Sequence, residues 1–84
     1  MHDIHAANQI LKTALEYAKK NKCKKIDSMT IELGKIVEHD ELITPKNLKY
    51  NIELISKNTI AEDCEIIVNS KNNKELKLVE IDGE

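Results

Sequence analysis

Ile26-Asp27-Ser28-Met29-Thr30-Ile31-Glu32-Leu33-Gly34 carries the clearest periodicity in the chain. Met29, Ile31 and Leu33 alternate with Ser28, Thr30 and Glu32 until Gly34 ends the run, which is the period of a strand with one wet face. Upstream the period is longer. Ile4, Ala7, Leu11, Ala14, Leu15 and Ala18 recur at spacings of three and four and predict an amphipathic helix over 4–21, with Asp3 as N-cap and Lys19, Lys20 and Lys22 suited to its C-terminal dipole. Downstream, residues 35–43 read as an irregular acidic connection carrying Glu38, His39, Asp40 and Glu41. Thr44-Pro45 then places a capping hydroxyl before a first-turn Pro, and Leu48, Ile52 and Ile55 predict a second helix over 45–57. Cys64, Ile66 and Val68 alternate in a strand over 63–69, and Asn69 to Asn73 is a turn signal. A last strand over 75–82 changes phase between Leu78 and the pair Val79 and Ile81, which predicts a β-bulge near Leu78. The order αβαββ predicts an α+β, two-layer domain, with two helices on one face of a three-stranded mixed sheet and a right-handed strand–helix–strand crossover.

Composition limits what such a domain does. Eighty-four residues suit one small domain, which buries only about 60% of its unfolded surface. The longest apolar runs, such as Ile66-Ile67-Val68, are three residues, against the roughly 20 needed to cross a bilayer. With no basic-then-apolar leader, the expectation is a soluble intracellular protein without a membrane role. All 13 basic residues are Lys, and only Tyr17 and Tyr50 are aromatic, so the forked donors and stacking platforms of nucleic-acid readers are missing. Cys23 and Cys64 are far apart, with no CxxC, and read as buried, reduced thiols. No Gly-rich phosphate loop or nucleophile elbow is present, and Cys23 sits at the far end of the first helix from any His, so no enzyme is expected.

Chemistry concentrates at Met1-His2-Asp3-Ile4-His5. An α-amine has a pKa of about 7.7–8.0 and gives up its proton near neutrality. With His at position two, the amine, the intervening amide nitrogen and the imidazole close fused chelate rings around one ion, and a nitrogen-rich tetragonal set selects Cu(II) or Ni(II) over Mg or Ca. Asp3, its amide or His5 completes the set. The plainer reading is an exposed His at a chain end. An 18-residue helix rises roughly 27 Å and the next strand returns nearly as far, which carries Glu38, His39, Asp40 and Glu41 back towards Met1, His2 and Asp3. The plainer reading of that segment is a solvated acidic loop.

Four segments carry a family resemblance: Met1-His2-Asp3, Met29-Thr30-Ile31-Glu32-Leu33-Gly34-Lys35, Lys57-Asn58-Thr59-Ile60-Ala61-Glu62 and Lys74-Glu75-Leu76-Lys77-Leu78-Val79-Glu80-Ile81. In order and spacing the chain resembles the HypA/HybF family, the nickel metallochaperones of NiFe-hydrogenase maturation. The resemblance implies a cytoplasmic Ni(II) carrier whose metal site is the Met1 amine, the His2 imidazole and amide, and Asp3 in place of the family's usual Glu. Asp40 falls where some members bring a carboxylate near the nickel. The implied partners are a HypB-like GTPase or a hydrogenase large subunit, and the domain is expected to be a monomer. Between Val68 and Lys74 the family inserts a zinc domain built on two CxxC pairs; here only Asn69 to Asn73 remain, an ordinary hairpin turn, so no zinc is expected. A natural or engineered deletion and a divergent paralogue both account for that join. The competing function is a metal-free interaction module that docks on the maturation GTPase.

Overall fold

A computed structural model describes residues 4–38 and 40–84. The chain forms α1 (Ile4–Lys20), β1 (Ile26–Leu33), β2 (Val37–Glu38), β3 (Glu41–Leu42), α2 (Pro45–Ile55), β4 (Glu65–Ser70) and β5 (Leu76–Gly83). β1 is the central strand. β4 lies parallel to it on one side and β5 antiparallel on the other.

The registers explain why both helices share one face. Met29 sits between Ile66 and Ile81, and Ile31 between Val68 and Leu78, all turned towards the helices. Ser28, Thr30 and Glu32 lie on the other face beside Glu65, Ile67 and Asn69. β1 supplies Ile26, Met29, Ile31 and Leu33 to the core, none more than 2% exposed. Against them pack Ala7, Ile10, Leu11, Ala14 and Ala18 of α1 and Leu48 and Ile52 of α2. The small Ala residues let α1 approach closely, and Ala6 and Ile10 widen its apolar stripe beyond the spacing read from sequence, since α1 contacts both α2 and β5.

The phase change in β5 is a bulge. Glu80 pairs with Thr30 and Leu78 with Ile31, so Val79 is the extra residue, and inward pointing is restored at Ile81. A second irregularity between Ile26 and Ser28 does the same for β1, which is why Ile26 and Met29 are both buried although three residues apart.

The helix ends follow local chemistry. Thr44 caps α2, its hydroxyl accepting from the Asn47 N–H at 3.2 Å, with Pro45 in the first turn. α1 ends with Lys22 at φ 58°, the Cys23 N–H reaching the Ala18 carbonyl at 2.8 Å and the Lys22 N–H the Lys19 carbonyl at 3.1 Å. That pair of bonds is a Schellman ending, which favours Gly at the left-handed position. Lys22→Gly is therefore expected to raise stability by about 0.5–1 kcal/mol, measured by urea unfolding; a loss would contradict it.

Two expectations need correcting. Residues 35–43 are not irregular: β2 and β3 form a small antiparallel hairpin, Val37 opposite Leu42, closed at its base by the Ile43 N–H to the Ile36 carbonyl at 2.8 Å. The turn at 69–73 is not that of a β4–β5 hairpin. Both sides of β1 are used, one by the crossover through α2 and the other by β5, so the chain leaving β4 passes across the end of β1. The passage is held by Lys71 N–H to Leu33 carbonyl at 2.8 Å, Lys35 N–H to Asn73 carbonyl at 2.6 Å and Gly34 N–H to Glu75 carbonyl at 2.7 Å.

Candidate metal centre

Met1, His2 and Asp3, three of the four candidate ligands, lie outside the described residues, as does His39. The scaffold that follows them is described. α1 begins at Ile4, with exposed His5 in its first turn. The five residues 21–25 join the end of α1 to the start of β1, and Thr13 and Tyr17 of α1 lie beside Glu80 and Ile81 of β5, which pair with Thr30 and Met29. α1 thus runs antiparallel to β1. Its 17 residues rise about 25 Å. The eight residues of β1 return about 26 Å, so α1 starts at the end of the sheet where β1 gives way to Gly34 and the β2–β3 hairpin.

The fourth candidate is at that hairpin. Asp40 is exposed, and its φ of 66° puts it in the left-handed region that Asp tolerates better than most residues. It lies in the turn between the paired positions Glu38 and Glu41, with Glu41 also exposed. The hairpin is anchored from below by Ile43, 2% exposed, while Val37 and Leu42 are largely exposed. Sequence reasoning missed the hairpin, although Ile36-Val37 and Leu42-Ile43 bracket the acidic residues as two symmetrical apolar pairs, the available signal.

Among the described residues no three His, Cys, Asp or Glu side chains converge as a metal-binding group. The described part of the chain therefore offers single donors, His5 in the first turn of α1 and Asp40 in the β2–β3 turn.

The two thiols are free and differ in environment. Cys64 is buried and Cys23 half-buried. Burial pushes the Cys64 thiol up, the carboxylates of Glu53 and Asp63 push it the same way, and its own backbone hydrogen bond opposes them. A thiol raised on folding favours the folded state while it stays protonated. That contribution is complete below the ordinary thiol range and is lost as pH rises through the folded value. Alkylation at neutral pH is expected to modify Cys23 first and Cys64 only on unfolding; equal rates would contradict this burial.

A family model described as hydrogenase/urease nickel incorporation, metallochaperone, hypA matches residues 1–76. The chain is 30% identical over 84 residues to a hydrogenase maturation factor HypA of Legionella pneumophila, covering 100% of this chain and 62% of that protein. It is 29% identical over 68 residues to the HypA of Methanocella arvoryzae, covering 81% and 57% respectively. The chain thus spans about three-fifths of the length of these relatives. The solution structure of the Ni metallochaperone HypA from Helicobacter pylori superposes with a TM-score of 0.77 at 13% identity, over 99% of this chain and 97% of that one. At that identity the likeness is one of fold.

Proposed function

The chain belongs to the HypA family, whose members are metallochaperones and not enzymes, and on that premise we propose that it carries Ni(II) at its amino terminus and delivers it for NiFe-hydrogenase maturation. The ion is cargo. Met1 supplies its amine, His2 its amide nitrogen and imidazole, and Asp3 its amide or carboxylate, with Asp40 of the β2–β3 hairpin as a further oxygen donor. The observation that carries this reading is that the family match begins at Met1, so the chelating triplet lies inside the matched segment. The antiparallel course of α1 and β1, which sets the start of α1 and the hairpin at one end of the sheet, supports the place of Asp40.

Delivery needs a receiving surface distinct from the ligands. A HypB-like GTPase or a hydrogenase large subunit in the cytoplasm would be met by helix surface, whereas transfer needs His2 itself. Equimolar, tight binding of Ni(II) by the untagged chain in calorimetry supports the carrier; absence of binding supports the competing reading, a metal-free module that docks on the GTPase. His2→Ala should lose nickel transfer and keep GTPase binding in metal-free buffer. Loss of that docking would join the two functions and contradict their separation.

We also propose that no resident zinc accompanies the nickel. Structural zinc sites use four soft ligands, typically in CxxC pairs, and this sequence has two Cys in all, separated by 40 residues between Cys23 and Cys64. The segment crossing the end of β1 stands where the family's zinc domain would be inserted. Elemental analysis of the purified protein should find no stoichiometric zinc, and unfolding should be insensitive to chelators; one tightly held Zn per chain would overturn this.

A further inference from the structure

α2 does not lead straight into β4. Residues 56–64 between them are tied by their own hydrogen bonds: the Thr59 hydroxyl donates to the Ser56 carbonyl at 2.6 Å and accepts from the Ala61 N–H at 3.1 Å, and the Cys64 N–H returns to the Ala61 carbonyl at 3.1 Å. Asn58 and Asp63 hold left-handed backbones, at φ 67° and 64°, which Asn and Asp tolerate. This segment and the end of α2 bound a cleft of about 310 Å³, lined by Glu53, Ser56, Lys57, Glu62, Asp63 and Cys64. Ser28, near the start of β1, pairs with Glu65, so the cleft lies at the opposite end of the sheet from the β2–β3 hairpin.

The lining fits a cation. Glu53, Glu62 and Asp63 stand against one Lys, and the one ion pair among the described residues joins Lys71 to Glu32, so Lys57 neutralises none of the three by contact. Ser56, 2% exposed, and Cys64, 8% exposed, form the buried side. The Ser56 hydroxyl donates to the Glu53 carbonyl at 3.1 Å, whereas the Cys64 thiol makes no hydrogen bond among the described residues. Glu53 from α2 and Asp63 from the loop both act on that thiol, which sets two negative charges about one buried, unpartnered polar group. Among the described residues no three His, Cys, Asp or Glu side chains converge as a metal ion requires, so the fit is to a broader cation.

A guanidinium is such a cation. Its N–H donors lie in a planar fork that serves several separated acceptors at once, and it is weakly hydrated, whereas an ammonium is a compact, strongly hydrated point charge. We propose that the cleft receives an arginine side chain of a different protein, with Glu53 and Asp63 as its carboxylate partners and the Cys64 sulfur as a weak acceptor at the buried side. All 13 basic residues of the chain are Lys, so neither this chain nor a second copy of it supplies the group. Arg in a desolvated pocket is a common anchor of protein interfaces. An anchor at this end of the sheet leaves the β2–β3 hairpin free, and the proposal is independent of the nickel reading.

The test follows the amide NMR spectrum of the isotope-labelled chain during titration with N-acetyl-argininamide, a blocked arginine that presents its side chain as a partner would. The expected result is saturable, millimolar binding, with shifts at Glu53, Ser56, Asp63 and Cys64 and none at the hairpin. The citrulline analogue, which keeps the shape and loses the charge, should not bind, and the lysine analogue should bind several-fold more weakly. Glu53→Gln combined with Asp63→Asn should weaken binding on the order of tenfold. Asn tolerates the left-handed backbone at position 63, so circular dichroism should be unaltered. Lys57→Gln removes the one cation of the lining and should strengthen binding. Free arginine should bind no more tightly than the blocked form; tighter binding would make the cleft a small-molecule site and overturn the partner. Absence of saturation, equal binding of the three analogues, an unchanged affinity in the double variant, or tight Zn(II) binding by these residues would each overturn the proposal.

Discussion

Adding a single residue before Met1 is expected to remove tight Ni(II) binding. The fused chelate rings need the α-amine one residue from the His2 amide and imidazole; an extension moves the amine away and replaces it with a peptide bond. Losing even an outer partner costs a metal site about 10–100-fold in affinity, and loss of a direct ligand should exceed roughly 100-fold. His2→Ala should do the same by removing the imidazole. Because protons leave the amine and the amide as the ion enters, affinity should rise with pH and binding should release protons, measurable as a buffer-dependent heat. Equal affinity in the free-terminus, extended and His2→Ala proteins would move the site to Glu38, His39 and Asp40 of the hairpin.

Gly34→Ala is expected to be among the most damaging small substitutions in the sheet. A Cβ at Gly34 would lie 2.5 Å from the Asn73 carbonyl oxygen and 2.7 Å from that of Glu75, and closer still to the Asn73 side-chain oxygen. The Asn73 side chain can turn aside, but the two carbonyls belong to the segment that crosses the end of β1. That segment is held there by hydrogen bonds from Gly34 and Lys35 themselves. The added methyl must lift the crossing and weaken those bonds, an overpacking cost of about 1–3 kcal/mol. At about 4–8 °C per kcal/mol for a domain of this size, Tm should fall on the order of 10 °C in calorimetry. Asn73→Ala, which removes only the acceptor of the Glu75 N–H at 3.0 Å, should cost about 1 kcal/mol. Equal, small effects of the two would show that the crossing segment is loosely held.

That crossing marks the boundary of what the sequence discloses. The alternation of Met29, Ile31 and Leu33 is a local pattern with one buried face, and it appears in the structure as written. So does the bulge, because a phase slip from Leu78 to Ile81 has no other way to keep both residues against the core. The slip between Ile26 and Met29 carries the same kind of signal. Strand order is different. Asn69 to Asn73 has the composition of a hairpin turn, yet whether β4 pairs with β5 depends on β1, more than 30 residues away in sequence, being free to take both as neighbours. The β2–β3 hairpin escaped because two-residue strands hold too little periodicity to register. At the site, sequence yields the chelating chemistry of Met1-His2-Asp3, since that rests on covalent spacing alone. It cannot yield the left-handed backbone of Asp40, which comes from the turn the hairpin imposes.

A nitrogen-rich nickel site at Met1-His2-Asp3 has a distinctive spectroscopic signature. The decisive experiment adds one equivalent of Ni(II) to the isotope-labelled, free-terminus protein at about pH 8.5, just above the α-amine range, and follows its amide NMR spectrum. A square-planar nitrogen site is diamagnetic and absorbs in the visible. Sharp lines, a visible band, and shifts confined to the first turn of α1 and the neighbourhood of Asp40 are expected. Paramagnetic broadening centred on the β2–β3 hairpin, with the start of α1 unchanged and no visible band, would contradict a site at Met1-His2-Asp3.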